Sequence, residues 1–117
     1  MSLCQGTPVY VGYGNRLLLI PYADVVRDKL LDMTGATRVE VCVGGHLWGS
    51  DDHSEAFDWY LDPDDEDEER WTLELRPGLL PDIPEGEHTM RVVVYDGEYL
   101  NGLVLTNDLP ITVYGEC

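Results

Sequence analysis

Hydrophobic and polar residues alternate along most of this chain, which is the pattern of β-strands whose two faces meet different surroundings. The clearest run is 71–76, where Trp71, Leu73 and Leu75 share one face and three polar residues share the other. Similar patterns predict further strands at 7–11, 16–22, 37–43, 46–48, 55–61, 88–95 and 109–114. Short strands at this spacing, separated by turn residues, predict an all-β sandwich.

One connection departs from the alternation. Within 23–33, apolar residues recur at helical spacing at Val26, Leu30 and Met33, and Asp24 stands where a helix cap would. The sequence therefore predicts a short helix in this connection, with an irregular loop as the alternative.

Four segments of the chain, taken together, resemble a known family. They are VEVCVGGHLW at 39–48, the strand that begins at Trp71, IPEGEHTMRVVVYDG at 83–97, and LPITV at 109–113. This series resembles bacterial immunoglobulin-like domains, which are similar in shape to fibronectin type III modules. The resemblance covers about residues 37–114. It implies an immunoglobulin-like β-sandwich of about seven strands in two antiparallel sheets.

Length and charge restrict the classes of function. The chain has 117 residues, which is enough for one domain, 1–117, with one core. Its net charge is −16, so the basic footprint that nucleic-acid binding needs is missing, and anionic membrane surfaces are disfavoured. No apolar run reaches the roughly 18 residues of a membrane span, so no membrane insertion is expected. Cations and basic proteins remain as partners.

The acidic run DPDDEDEE at 62–69 is the first candidate for chemistry. Seven of its eight residues are carboxylates, and Ca²⁺ binds where several oxygens converge. Alternate positions make Asp62, Asp64, Glu66 and Glu68 candidate calcium ligands, for weak and unselective binding. The glycine that bends a calcium loop is missing, so a solvated, mobile loop is the favoured interpretation.

The polar loop after residue 48 is a second candidate site. Trp59 and Trp71 fall on the apolar phase of their strands, so both are expected in the core. Trp48 is the tryptophan expected to be exposed, and with Asp51 and Asp52 it forms a candidate binding surface.

Metal and catalytic chemistry have weaker signals. His46 and His53 flank two aspartates within eight residues, which could ligate a transition metal, but spacing this loose favours an ordinary hairpin loop of polar residues. No nucleophile elbow or phosphate loop occurs, so no catalytic residue and no cofactor is predicted. The spacing of Cys4, Cys42 and Cys117 fits no zinc or redox motif and leaves open whether any of them pair.

These patterns favour a non-catalytic structural or interaction module. We expect it to belong to a surface or adhesive protein or to a phage virion, with a protein partner or assembly, although no signal peptide is visible. The alternative is a cation- or carbohydrate-binding module that uses the acidic loop. Strands 7–11 and 109–114 are expected near the sandwich margin, where a partner strand could add. The oligomeric state stays open.

Overall fold

A computed structural model of the protein describes residues 6–67 and 69–115. These residues form ten strands, which are β1 Thr7–Tyr10, β2 Leu17–Leu19, β3 Tyr22–Asp24, β4 Lys29–Leu30, β5 Ala36–Val43, β6 His46–Gly49, β7 Phe57–Leu61, β8 Trp71–Leu75, β9 Gly86–Asp96 and β10 Leu103–Tyr114. Two short 3-10 turns lie at Ser54–Ala56 and Pro77–Leu79. Within the described residues, no helix has the length and apolar character needed to cross a membrane.

Most of the strands belong to two sheets. The five-stranded sheet has the order β1-β10-β9-β5-β6, and the three-stranded sheet has the order β2-β8-β7. β1 pairs with β10 in parallel, and the other neighbouring pairs that the structure describes are antiparallel. This order separates the strands as the two sheets of an immunoglobulin sandwich do. The predicted all-β sandwich is therefore confirmed, with ten strands where about seven were expected and with β3 and β4 in a third, two-stranded sheet.

The two sheets share one hydrophobic core, which the alternation of the strands predicts well. Every second residue of β5, β8 and β9 points into it, and each such side chain contributes about 1.5–3 kcal/mol when fully buried. The buried residues that these three strands supply to the core are Val39, Val41, Val43, Leu73, Leu75, Met90, Val92 and Val94.

The helix predicted in 23–33 is wrong, because this connection folds as the hairpin β3–β4. Asp24 does act as a cap, but of a turn: its Oδ1 accepts a hydrogen bond from the Arg27 N–H at 3.2 Å. Asp28 then adopts φ 55°, in the left-handed region, which a continuing helix excludes. Val26, one of the three apolar residues at helical spacing, is 95% exposed at the hairpin tip.

The margins of the sheets differ partly from expectation. β1 is an edge strand, whereas β10 lies one strand further in, because β1 pairs with its last four residues from Ile111 to Tyr114. The stacked rings of Tyr10 and Tyr114, with centroids 5.4 Å apart, mark the end of this pair. Among the described residues, the other edge strands of the five- and three-stranded sheets are β6, β2 and β7.

Cys42 is the cysteine that the structure describes, and it is half-buried on β5 with a free thiol. Cys4 and Cys117 lie outside the described residues, as does Glu68.

Candidate functional site: an acidic cleft at the end of β7 and β8

The register of β7 and β8 places apolar side chains at an open end of the sandwich. Leu61 lies opposite Trp71, and Trp59 lies opposite Leu73. Leu73 is fully buried, whereas Trp71 is half-buried and Leu61 is exposed, because the sheet ends at this pair. Part of the apolar surface that the strands direct inward is therefore accessible from solvent at this end.

A cleft of about 450 Å³ opens there, which we call the acidic cleft. One wall comes from the hairpin β3–β4 and the segment after it, and the other comes from the ends of β7 and β8. Three carboxylates, three apolar side chains and one hydroxyl line it: Asp28, Leu30, Asp32, Thr34, Leu61, Glu69 and Trp71. Its volume lies in the range of about 300–1,000 Å³ that small-ligand sites occupy.

Asp32 provides a fixed negative charge in the acidic cleft. Its Oδ1 accepts hydrogen bonds from the Thr34 hydroxyl at 2.6 Å and from the Thr34 N–H at 2.9 Å. These two bonds, the hydroxyl first, lower the pKa of Asp32 below the usual 3.8. The described residues that line the cleft include no Lys or Arg, so its charge is uncompensated by its own walls.

Side chains of the acidic run between β7 and β8 hold the run in shape through hydrogen bonds and an ion pair. The Asp62 carboxylate binds the Arg70 guanidinium, with Oδ2 at 3.0 Å from Nε and 2.9 Å from Nη2. Asp65 Oδ2 accepts the N–H groups of Arg70 at 2.7 Å and Glu69 at 3.1 Å. These bonds, that of Arg70 first, lower the pKa of Asp65 below 3.8. Two of the carboxylates therefore hold the loop in shape, and Glu69 is left at the cleft wall.

The candidate calcium ligands that the structure describes are not gathered at one point. Asp62 is occupied by Arg70, while Asp64 and Glu66 are exposed and Glu68 lies outside the described residues. Within the described parts of the chain, no three His, Cys, Asp or Glu side chains form a group that could hold a metal ion.

The expectation that Trp48 is exposed is wrong. Trp48 lies opposite Val41 in the β5–β6 pair, so it points into the core and is 5% exposed. Its indole Nε1 donates a hydrogen bond to the Pro81 carbonyl at 3.0 Å. The sequence did carry a signal for this: Gly44 and Gly45 form a two-residue turn, which places Trp48 on the same face as Val41.

The other members of that candidate surface are separated from Trp48. Asp51 forms an ion pair with Arg38, whose Nε lies 3.1 Å from Asp51 Oδ1 without the alignment of a hydrogen bond. Asp52 is exposed. His46 stacks on the Trp48 ring at 5.8 Å. Of the predicted binding residues, the structure therefore assigns the tryptophan to the core and the two aspartates to the surface.

Sequence reasoning also missed a buried carboxylate on the outer face of the three-stranded sheet. Glu74, on the polar phase of β8, is 3% exposed. Its Oε1 accepts hydrogen bonds from the Tyr60 hydroxyl at 3.1 Å and from Arg16 Nη1 at 3.3 Å, and its Oε2 is bound by Arg76 Nη2. Since these partners occupy both oxygens, we assign Glu74 a structural role.

Comparisons with known proteins leave the function open. No protein-family model matches this chain, and no curated protein is significantly similar to it. Among solved structures, it is similar to the endo-beta-1,4-mannanase from Thermotoga petrophila, with a TM-score of 0.43 and 13% sequence identity. The alignment covers 96% of this chain and 18% of that chain. A likeness at this level carries no argument about function.

Proposed function

We propose that this chain is a non-catalytic immunoglobulin-like interaction module that binds a basic polypeptide segment in the acidic cleft. One observation carries the proposal: a single cleft brings together the carboxylates of Asp28, Asp32 and Glu69 with the accessible side chains of Leu61 and Trp71.

The chemistry of the cleft matches a Lys or Arg side chain. Such a side chain has an apolar stem and a cationic head, and it binds well where apolar and charged surfaces meet. The stem packs on Leu61 and Trp71, and the indole face attracts the cation by about 0.5–2 kcal/mol. The head pairs with Asp32 or Glu69, for which a charge-assisted hydrogen bond is stronger than a neutral one.

The charge of the whole chain supports the same partner. A net charge of −16 attracts a basic segment over distances beyond contact and raises its association rate. The resemblance to bacterial immunoglobulin-like domains supports a setting in a surface, adhesive or virion assembly, where a module of this kind acts through its surface.

The test uses a blocked nonapeptide of alternating Lys and Val as the probe. We compare the unmodified chain with D32N/E69Q, which removes two cleft charges, and with E98Q/D108N, which removes two exposed charges outside the cleft. Isothermal titration calorimetry should show at least tenfold weaker binding for D32N/E69Q and at most a twofold change for the control. Equal losses in the two variants, or no binding to the unmodified chain at millimolar peptide, would overturn the proposal.

A neutral carbohydrate is the second candidate ligand, because the half-buried indole of Trp71 beside carboxylates could stack on a sugar ring. Salt separates the two ligands. Binding of a basic peptide weakens steeply as NaCl rises, since exposed charges are screened, whereas binding of a neutral oligosaccharide stays nearly constant.

A further inference from the structure

β7 is an edge strand whose hydrogen-bonding direction can be read from its two ends. The Ala56 carbonyl accepts the Arg76 N–H at 2.8 Å, and the Asp62 N–H donates to the Arg70 carbonyl at 2.8 Å. The register between these ends has no bulge. Because paired and outward residues alternate in an antiparallel pair, even-numbered residues of β7 turn their peptide groups toward β8. The odd-numbered residues turn theirs outward.

The outward peptide groups of β7 are open. Phe57 uses its N–H to close the preceding turn onto the Ser54 carbonyl. For Trp59 and Leu61, the described residues supply no hydrogen-bond partner to either the N–H or the carbonyl. A row of free donors and acceptors therefore lies along this edge, as an added strand would require.

A second groove lies beside the same strand. It has a volume of about 250 Å³ and is lined by Thr37, Ser50, Asp51, Ser54, Phe57, Asp58 and Trp59. Phe57 and Trp59 line this edge groove, and the next inward residue, Leu61, lines the acidic cleft. A segment that lies along β7 therefore passes the edge groove at one end and the acidic cleft at the other.

The negative charge around β7 indicates which kind of segment can pair with this edge. The twenty residues from Ser50 to Glu69 contain eleven acids and no Lys or Arg. Two copies of β7 placed edge to edge would bring like charges together, which disfavours self-association through this edge. A basic segment instead gains from the same charges.

We infer that the basic segment of the partner adds to β7 as an extended strand. Every second side chain of the segment then faces inward, toward the edge groove at one end of β7 and the acidic cleft at the other. This inference rests on the proposed function and specifies the form in which the partner binds. It predicts that the backbone of the segment, as well as its charge, determines affinity.

The first test changes one peptide group of the edge. Leu61→Pro removes an outward N–H, and proline is tolerated on an edge strand where that N–H faces solvent. The matched control, Leu61→Ala, shortens the side chain and keeps the N–H. We expect the Lys-Val nonapeptide to bind L61P at least tenfold more weakly than L61A. Equal affinities in two folded variants would overturn strand addition.

The second test leaves the protein unchanged, so it does not depend on the folding of L61P. The nonapeptide is N-methylated either at its lysines or at its valines, which removes alternate N–H donors and keeps every charge. Strand addition predicts that at least one of these peptides loses tenfold or more in affinity, and binding of both within twofold of the parent contradicts it. If the parent and N-methylated peptides bind the unmodified chain alike but bind D32N/E69Q more weakly, the acidic cleft remains the binding site and strand addition is excluded. Failure of the parent peptide to bind removes the proposed function itself.

Discussion

Leu61 and Trp71 lie opposite each other as the last register pair of β7 and β8, and both side chains line the acidic cleft. Two register pairs further along, Trp59 faces Leu73, which the core covers completely. The same inward phase therefore produces core in the middle of the sheet and accessible apolar surface at its end. This relationship places an indole beside three carboxylates without any departure from regular strand geometry.

The burial of Trp48 predicts that this residue matters for stability. Trp48→Ala removes a buried indole and its hydrogen bond to Pro81, which should cost about 3–5 kcal/mol in the free energy of unfolding. Trp71→Ala, at a half-buried position, should cost clearly less. Urea denaturation of the two variants measures the difference, and a loss below about 1 kcal/mol for W48A would show that this side chain is not packed in the core.

The contacts of Glu74 predict unequal roles for its two arginines. Arg76→Ala leaves a buried carboxylate with less compensation and should cost about 2–3 kcal/mol, whereas the more exposed Arg16→Ala should cost at most about 1 kcal/mol. Adding Glu74→Leu to R76A should recover much of the loss, because no buried charge then remains. A double-mutant cycle in urea measures this coupling, and additive losses would mean that Glu74 and Arg76 do not interact.

Two tyrosines should control stability at alkaline pH. Burial, and then the neighbouring carboxylates of Glu74 and Glu40, raise the pKa of Tyr60 and of Tyr95 above 10.0. A raised pKa means that these phenols stabilise the fold below pH 10.0, and that this contribution is lost as pH rises through the raised values. The variant Y60F/Y95F should flatten that decline. Ultraviolet titration of the unmodified chain should show phenols that ionise above pH 10.0 and that are missing from Y60F/Y95F, and a late phase that persists unchanged in Y60F/Y95F would contradict this.

Thr34 should keep the acidic cleft charged in mildly acidic solution. Because its hydroxyl and N–H lower the pKa of Asp32, this carboxylate stays ionised as pH falls to its usual value of 3.8. Its contribution to stability is present above the unfolded value and is lost as pH falls through the lowered one. Thr34→Val removes the hydroxyl, so the pKa of Asp32 should move back toward 3.8 in an NMR titration. An unchanged pKa in T34V would show that the hydroxyl has no such effect.

The sequence predicts a feature of this molecule well where neighbouring residues determine it, and poorly where residues far apart in the chain determine it. The alternation of Val39, Val41 and Val43 predicts their burial because the face of a strand is a local property. Trp48 was misplaced although its position follows from the same rule, since the two-glycine turn before it fixes the phase of β6.

The acidic cleft has no comparable local signal. Asp28 and Asp32 come from one segment and Glu69 from another about forty positions later, and the hairpin that carries Asp28 to the end of the sheet has helical spacing in the sequence. Glu74 is similar, because the strand register brings its partner Arg16 from 58 positions away. Tertiary packing determines these sites, so periodicity alone could not predict them.

Binding of a basic segment in the acidic cleft is tested most directly by NMR. The experiment follows the three tryptophan indole N–H signals during titration with the Lys-Val nonapeptide. Trp71 lines the acidic cleft, whereas the Trp48 indole is bonded to Pro81 inside the core and serves as an internal control. We predict that the Trp71 signal shifts progressively and saturates while the Trp48 signal stays in place. A saturable peptide interaction that leaves the Trp71 signal unmoved would contradict it.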